Sequence, residues 1–554
     1  MKVYEALADC FVQEGASDVF GMMGDANMHW MNAVAERGAR LYQVRHEGCA
    51  LGMADGWARA TGRPGVASTT SGPGVSQLAT SLLAASRAGT PLVVFCGEVP
   101  LGDESAVQYL DQRRFAHATE AEFVHVAQPD KARDAAGRAF YQARMLRRPV
   151  LLSAPVDVQK ADYRGDPDYL PSKELTKRTP RAAPQHEIVE AAKIIASSRQ
   201  VVVLAGRGAR DAGADAAILE LLELCGGILA TTLQTKLYLS DRTDFHAGIS
   251  GLYGSKASQS LLQDADCVVA IGASLNHYTI EYGYLYPEAT FIQIDHARSV
   301  ITGTGRPAEH YLEGDARLTT EQLAKELAAQ LRANHRTPSE FRTADVAATL
   351  SEPPSDPAEY LQDPDRIDPR EAINAIDGAL PGEIPVVLGS GHQTDFGTML
   401  LRRHRRIVSN YGMFGAIGQA PLIAMGWTVG TGNRPTVVIE GDASFVMHLA
   451  EFDTACRYGW PLLVIVMNDE GLGAEFHKSK VAGLREELSL IPSTDLGAVA
   501  RAMGGQGVLV RNSSEIADAV WSYVADPRPT VVDVRISREV LSTPYRRLWY
   551  AEDV

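Results

Sequence analysis

Two polar turns in the last third of the chain carry carboxylates at the ends of apolar runs. Gly441-Asp442-Ala443-Ser444 follows the run Pro435–Glu440, and Asn468-Asp469-Glu470-Gly471 follows Pro461–Met467. If both runs are parallel strands, the turns converge at one sheet edge, which is where open α/β sheets bind ligands. Asp442 and Asp469 are hard oxygen donors suited to Mg²⁺ or Ca²⁺, and a neighbouring backbone carbonyl would complete such a site. A helix opening after Ser444 would offer N–H groups to a diphosphate. The plain alternative is a pair of solvated turns. Near the other end of the chain, Arg45-His46-Glu47-Gly48 sets a glutamate at the start of a helical stretch. There it would either bond the first-turn amides or move a proton.

These residues need strands to hold them, and the sequence supplies three sets. Val66–Thr70, Pro91–Cys96 and Pro149–Ser153 are short β-rich runs, separated by helical stretches such as Glu47–Thr61 and Val75–Ala88. Apolar runs bounded by Gly or Pro read as buried parallel strands. A second set is Gln200–Ala205, Cys267–Ile271 and Thr290–Ile294. A third is Pro385–Leu388, Arg406–Ser409, Pro435–Glu440, Pro461–Met467 and Thr530–Val534. The polar, Pro-containing stretches Asp166–Gln185 and Ser351–Pro369 read as linkers. The fold class is α/β, with three domains each built on a mainly parallel sheet flanked by helices. Their bounds are 1–165, 186–345 and 366–540, followed by a short tail, 541–554. No internal sequence repeat is visible.

Composition agrees with that division. At roughly 150 residues per domain, 554 residues make three or four. The 53 basic and 68 acidic residues leave a net charge of −15, which argues against a nucleic-acid or anionic-membrane partner. The six cysteines form no C-x-x-C pair and read as reduced core residues. The first fifteen residues read as an amphipathic helix without the apolar core of a signal peptide, and no run suits a membrane span. A soluble cytoplasmic protein is the expectation.

Gly441-Asp442-Ala443, followed after 24 residues by Asn468-Asp469, resembles the G-D-G … N-N motif of thiamine diphosphate enzymes. The resemblance implies that Asp442, Asp469 and the carbonyl of Gly471 bind the Mg²⁺ of the cofactor diphosphate. It also implies that Gly441, Ala443, Ser444, Leu472 and Gly473 contact the cofactor. Ala443 replaces the usual Gly and Asp469 the usual Asn, and the second change adds a negative charge near the diphosphate. Further matches extend along the chain. Arg45-His46-Glu47 and Ala54-Asp55-Gly56-Trp57-Ala58-Arg59-Ala60-Thr61-Gly62 are similar to signatures of the acetolactate synthase-like branch. So are Ser71-Gly72-Pro73-Gly74, Gly389-Ser390-Gly391-His392-Gln393 and Gly412-Met413-Phe414-Gly415. The family's Glu, matched by Glu47, bonds a ring nitrogen of the cofactor's aminopyrimidine and so assists loss of the thiazolium C2 proton. Burial should raise its pKa. Phe414 matches the apolar prop that holds the cofactor bent, and the Gly412 carbonyl would accept from the aminopyrimidine. The family sets the Glu and the diphosphate site on different subunits, which implies a homodimer at minimum and a homotetramer as the expected state.

The family's shared chemistry is attack on a 2-oxo acid, loss of CO₂ and an enamine that meets a proton or a second carbonyl. Acetolactate synthase fits poorly in detail, since Gly473-Ala474-Glu475-Phe476-His477-Lys478 replaces its usual gating segment and Gln77 replaces its Asn. Asp469–Glu475 is closer to simple 2-oxo acid decarboxylases, making Glu475 the candidate proton relay. Their tandem His pair is absent, and only His117 lies in a comparable stretch. Gln112 and Gln77 are further pocket candidates. Three alternatives stay open: a C–C lyase on a 2-hydroxyacyl thioester, a flavin-linked member, and a cofactor-binding protein without catalysis. For the middle domain, Gly206-Arg207-Gly208 and Asp295–Arg298 would be where FAD or an ADP moiety sat, and neither is favoured.

Overall fold

The protein is described from a computed structural model that covers residues 1–177, 179–296, 306–333, 339, 341–352, 356–361, 363–409 and 414–554. Eighteen strands form three sheets. The first holds β1 (Asp18–Gly21), β2 (Arg40–Gln43), β3 (Gly65–Thr69), β4 (Leu92–Glu98), β5 (Glu122–His125) and β6 (Pro149–Pro155). The second holds β7 (Val201–Ala205), β8 (Ile228–Thr231), β9 (His246–Ile249), β10 (Cys267–Ile271), β11 (Thr290–Asp295) and β12 (His310–Glu313). The third holds β13 (Val386–Leu388), β14 (Ile407–Ser409), β15 (Thr436–Gly441), β16 (Leu462–Asn468), β17 (Gln506–Val510) and β18 (Thr530–Arg535). Neighbouring strands run parallel, for example β13 with β15 and β15 with β16. The α/β class with three parallel sheets is therefore as the sequence reads. The central strands β3, β4, β6, β7, β10, β15, β16 and β18 are buried along almost their whole length and mainly apolar, because helices cover both faces.

The strand orders are β2-β1-β3-β4-β6-β5, β12-β11-β10-β7-β8-β9 and β14-β13-β15-β16-β18-β17. Renumbered from its own first strand, the third sheet has the same order as the first. The middle sheet is a doubly wound sheet that reverses between β7 and β10. The duplicated order corrects the expectation of no internal repeat, and a short echo of it exists in sequence. The helix Glu47–Thr61 joins β2 to β3, and the helix Gln419–Gly430 joins the equivalent β14 to β15. The first carries Ala54-Asp55-Gly56-Trp57 and the second Ala424-Met425-Gly426-Trp427.

Those two helices pack on one another and join the first sheet to the third. A Cβ on Gly56 would run into the carbonyl oxygen of Ile423, and a Cβ on Gly426 into that of Met53. The contact is reciprocal, each glycine three residues after the carbonyl that receives its partner. One continuous apolar cluster runs through it, including Met53, Trp57, Leu422, Ile423 and Trp427.

The linkers are docked rather than loose. The Glu14 carboxylate accepts from Ser172 N at 2.6 Å and from the Tyr169 hydroxyl at 2.7 Å, pinning residues 169–172 to the first unit. In the second linker Asp356 takes Arg546 at 2.6 Å. The expected helix Val75–Ala88 is two helices, Pro73–Ser76 and Ala79–Ala88, and the break brings the Gln77 carbonyl against Gly48. The six cysteines form no disulfide, and five of them are buried. Among the described residues no helix is long and apolar enough to cross a membrane.

Gly56→Ala and Gly426→Ala should each destabilise the chain by about 1–3 kcal/mol or more, since the added methyl meets backbone that cannot yield. Gly378→Ala, a helical site where a Cβ meets nothing within 4 Å, should instead be neutral or stabilising by up to about 1 kcal/mol. Urea titration of the three variants checks the contrast.

Candidate active site

The order of the third sheet reverses between β13 and β15, and the two acidic turns lie at that edge. Asp442 opens the helix Asp442–Met447 directly after β15, and Asp469 follows β16. Both are buried, Asp442 to 2% exposure and Asp469 to 8%. Each lies close enough to influence the other's ionisation, and Asp442 Oδ1 has no hydrogen-bond partner. Burial first, then the neighbouring Asp469, pushes the Asp442 pKa up. Burial also raises Asp469, with the Arg538 guanidinium opposing. A third carboxylate, Glu440, is buried at the end of β15. It accepts from Gly441 N at 3.0 Å and Gln393 Nε2 at 3.3 Å, and burial raises its pKa to about 7.

The turn after β16 is built to aim one carboxylate at this edge and turn the next away. The Asn468 side chain is structural: it donates to Asp533 at 2.8 Å and accepts from Glu470 N at 3.1 Å. Glu470 adopts φ +59° and pairs with Arg366 and, at 2.8 Å, with Arg535. Arg538 clamps the Asp469 carbonyl with two hydrogen bonds, of 3.1 and 2.6 Å. A Cβ on Gly473 would strike Asp469 Oδ2. A bulkier residue at 473 would therefore displace the carboxylate. Among the described residues no three His, Cys, Asp or Glu side chains gather to hold a metal, so a cation here would need a main-chain donor beside the two aspartates. An orphaned buried oxygen, a second hard carboxylate and adjacent carbonyls fit a small divalent cation.

The turn after β13 forms the other wall. Gly391 has φ +129°, and Gln393 Nε2 donates back to the Ser390 carbonyl at 3.1 Å. His392 is buried, and Ser542 N donates to its Nε2 at 3.0 Å, which places the ring proton on Nδ1. Burial holds its pKa well below the usual value, so the ring is neutral. It packs against His477 and Tyr545, with ring centroids 4.6 and 4.8 Å away. Ser542 Oγ also donates to Asp395 at 2.8 Å, and burial raises Asp395 to about 7. The C-terminal segment is thus a packed buttress of the His392 turn. Ser444 Oγ accepts from Gly418 N at 3.1 Å. Leu472 is half-buried, and Phe414 is 39% exposed beneath the Arg87 guanidinium. Gly412 lies outside the described residues, as does Arg298 of the middle unit.

Glu47 starts its helix beside the Ser71–Gly74 turn, with Oε1 3.2 Å from where a Gly74 Cβ would stand. It is half-buried, less than the burial expected of it, and among the described residues it forms no hydrogen bond or ion pair. None joins it to Asp442 or Asp469. Gly72, at φ +44°, lies so close to the Gln108 carbonyl that a side chain would clash; Pro73 beside it is exposed. Gln77 is exposed and bonds His46 Nε2 at 3.0 Å. Glu475 is exposed and pairs with Lys478 at 3.3 Å. His117 is exposed on the last turn of Gln112–Ala118. Gln112 is buried, its amide donating to the Gly97 carbonyl at 2.7 Å. Arg366, Arg538, Asp395 and Ser542 were not marked by the sequence, because only long-range contacts give them a role.

A carboxyl group whose pKa rises on folding holds its proton more tightly in the folded chain. Its contribution is present below the ordinary carboxylate range and is lost as pH climbs through the raised value. With Glu440 and Asp395 both at about 7, the cofactor-free protein should lose on the order of 5 kcal/mol between pH 4.5 and 7. Its thermal midpoint should fall by several degrees over that range. Glu440→Gln should flatten the slope, and an unchanged slope in that variant would refute the assignment.

Comparison with known proteins agrees with this geometry. Residues 1–127 match the family model "Thiamine pyrophosphate enzyme, N-terminal TPP binding domain", residues 188–323 the central domain, and residues 391–534 the C-terminal TPP binding domain. The sulfoacetaldehyde acetyltransferase of Castellaniella defragrans is 27% identical, covering 98% of this chain and 94% of that protein. A probable acetolactate synthase large subunit of Methanocaldococcus jannaschii is 28% identical, covering 97% and 92%. The acetolactate synthase large subunit of Parasynechococcus marenigrum is 27% identical, covering 96% and 87%. With its two carboxylate turns at the reversal of the third sheet and family matches to all three units, the chain belongs to the thiamine diphosphate-dependent enzymes, in the company of acetolactate synthase-like proteins.

Proposed function

We propose that this protein uses thiamine diphosphate and Mg²⁺ to decarboxylate a 2-oxo acid and hand the remaining fragment to a proton or to a second carbonyl compound. The observation that carries the reading is the buried Asp442–Asp469 pair with its partnerless Asp442 oxygen. Burying two adjacent carboxyl groups is costly unless a cation compensates them. In this reading Asp442, Asp469 and the Gly471 carbonyl hold Mg²⁺. Ser390, Gly391, His392, Gln393, Gly441, Ala443, Ser444, Leu472 and Gly473 shape the edge that receives the diphosphate, and Phe414 would support the body of the cofactor. Thiamine diphosphate, when bound, supplies a nucleophilic carbon and a sink for the electron pair left when a bond beside a carbonyl breaks.

The chain's own groups do the rest. Glu47 holds a proton against a basic ring nitrogen of the ligand at the mouth of the first sheet, and Gly72, Pro73 and Gln77 line that mouth. Its carboxylate is half-buried and unpaired, and no described contact joins it to the metal pair. Both facts support a site completed by a second copy, in a homodimer or homotetramer. In this reading Glu475 relays a proton to the released fragment, with His117 and Gln112 as further pocket groups. One relative's name denotes transfer of an acetyl group. It supports fragment transfer beside simple protonation. In the middle sheet, Gly206 N donates to Ile271 O and Gly208 N to Gly272 O, both at 2.9 Å, which draws together the two loops of the β7/β10 reversal. That closure supports a middle unit without FAD or ADP in its crevice.

The test is CO₂ release from a panel of 2-oxo acids, with and without thiamine diphosphate, Mg²⁺ and carbonyl acceptors. Glu47→Gln should keep cofactor binding, read by tryptophan fluorescence, and lose turnover by about 10²–10⁴-fold. Cofactor binding with no release from any acid would move the assignment to a C–C lyase of hydroxyacyl substrates or to a silent cofactor-binding protein.

A further inference from the structure

The three units meet around a cavity of about 340 Å³ that includes none of the residues assigned above. Five arginines line it: Arg59 from the end of the Glu47–Thr61 helix, Arg147 just before β6, Arg207 and Arg210 after β7, and Arg406 just before β14. The residues from the first and third units stand at the starting ends of their strands, opposite the ends that carry Ser71–Gly74 and Asp442. Those from the middle unit stand at the finishing end of β7.

Their charge is under-compensated. Asp55 grips Arg59 with two hydrogen bonds of 2.7 Å, and Asp211 lies 3.6 Å from Arg210. Among the described residues, Arg147, Arg207 and Arg406 have no carboxylate partner. Arg207 Nη1 donates to the Ala88 carbonyl at 2.6 Å and Arg210 Nη1 to that of Gln234 at 2.8 Å. Arg406 lies over the Trp427 ring, 5.5 Å from its centroid. The Nε groups of Arg210 and Arg406 are buried with no hydrogen-bond partner. Burial and mutual repulsion both oppose these charges: Arg147, Arg59 and Arg210 depress Arg207, and Arg210 depresses Arg406, while Asp211, the single carboxylate of the lining, offsets part of this at both. A chain of net charge −15 has here gathered like charges into a partly dehydrated space. Guanidinium forks match the geometry of phosphate oxygens, and an oxyanion of two charges would neutralise the excess and satisfy the free N–H groups.

We propose that this junction binds a phosphate dianion, free or as the end of a small phosphate ester, and that the ligand clamps the three units together. The site is separate from the diphosphate edge of the third sheet and does not depend on the reaction assigned above. The experiment uses the full-length protein with saturating thiamine diphosphate and Mg²⁺, so that the cofactor edge is filled. Inorganic phosphate, glycerol 3-phosphate and chloride are compared at equal ionic strength, by calorimetric titration and thermal midpoint. Saturable binding of about one phosphate per chain is expected, with a raised midpoint. Tighter binding of glycerol 3-phosphate would identify an ester as the natural occupant, and tighter binding of inorganic phosphate the free ion. Arg147→Gln and Arg210→Gln should each weaken binding about tenfold or more, with cofactor-dependent turnover in phosphate-free buffer unchanged. Arg147 is exposed, so that variant tests the site even if Arg210→Gln folds poorly. Equal midpoints in phosphate and chloride, or a phosphate effect that survives in Arg147→Gln, would overturn the proposal.

Discussion

The arrangement of the molecule depends on one contact, the crossing of the Glu47–Thr61 and Gln419–Gly430 helices. The first helix begins with the candidate proton-handling carboxylate, and the second leads into β15, which ends at Glu440-Gly441-Asp442. Any side chain at Gly56 or Gly426 would push these helices apart, because the opposing group is main chain and has no rotamer to change. The crossing therefore sets how the mouth of the first sheet is presented relative to the acidic edge of the third. It is reinforced nearby by Glu451, whose Oε1 accepts from both Arg45 N and His46 N at 2.9 Å. A buried carboxylate of the third unit thereby holds the two residues that precede Glu47.

The acidic edge shows the opposite physics. Packing at the helix crossing is satisfied without a ligand, whereas Glu440, Asp442 and Asp469 gather carboxyl groups whose ionisation burial opposes. The surrounding turns hold that unfavourable cluster in place. Arg366, Arg535 and Arg538 neutralise Glu470 and fasten the Asp469 main chain, yet their hydrogen bonds leave the Asp469 carboxyl group aimed at Asp442. Asp469, where an amide is usual in the family, adds charge to the edge, and Gly473 keeps space for it. The cost of binding is thus met largely before any ligand arrives, a form of preorganisation.

Much of this was legible in the sequence, for a physical reason. Central strands such as β15 and β16 are buried on both faces and read as unbroken apolar runs. Edge and short strands did not: β2 (RLYQ), β5 (EFVH) and β12 (HYLE) are half-exposed and carry polar residues, so no run stands out. The carboxylate turns were legible because strand-end spacing places them. Arg538, Ser542 and Asp395 were not, because each acts on a residue about seventy or more positions away or through one that does. The tail from residue 541 read as a short appendage, whereas Ser542 and Tyr545 are buried against the His392 turn.

The duplicated strand order gives these observations a common origin. The first and third sheets are the same topology, and the helices that cross are the same element of that topology, each between its second and third strands. Two like units packed about an approximate two-fold axis must meet through the same patch on each side, as in an isologous interface. Gly56 against Ile423 O and Gly426 against Met53 O are that relation within one chain. The A-x-G-W echo survives where the geometry is reciprocal and nowhere else, because only there do both units face an identical constraint. Beyond the crossing the two units differ: one loop set places Glu47 beside a Gly-Pro-Gly turn, and the other buries acids. The middle sheet, of a different order, lies outside this symmetry. It meets both units at the arginine-lined junction, where charged side chains rather than glycines face one another.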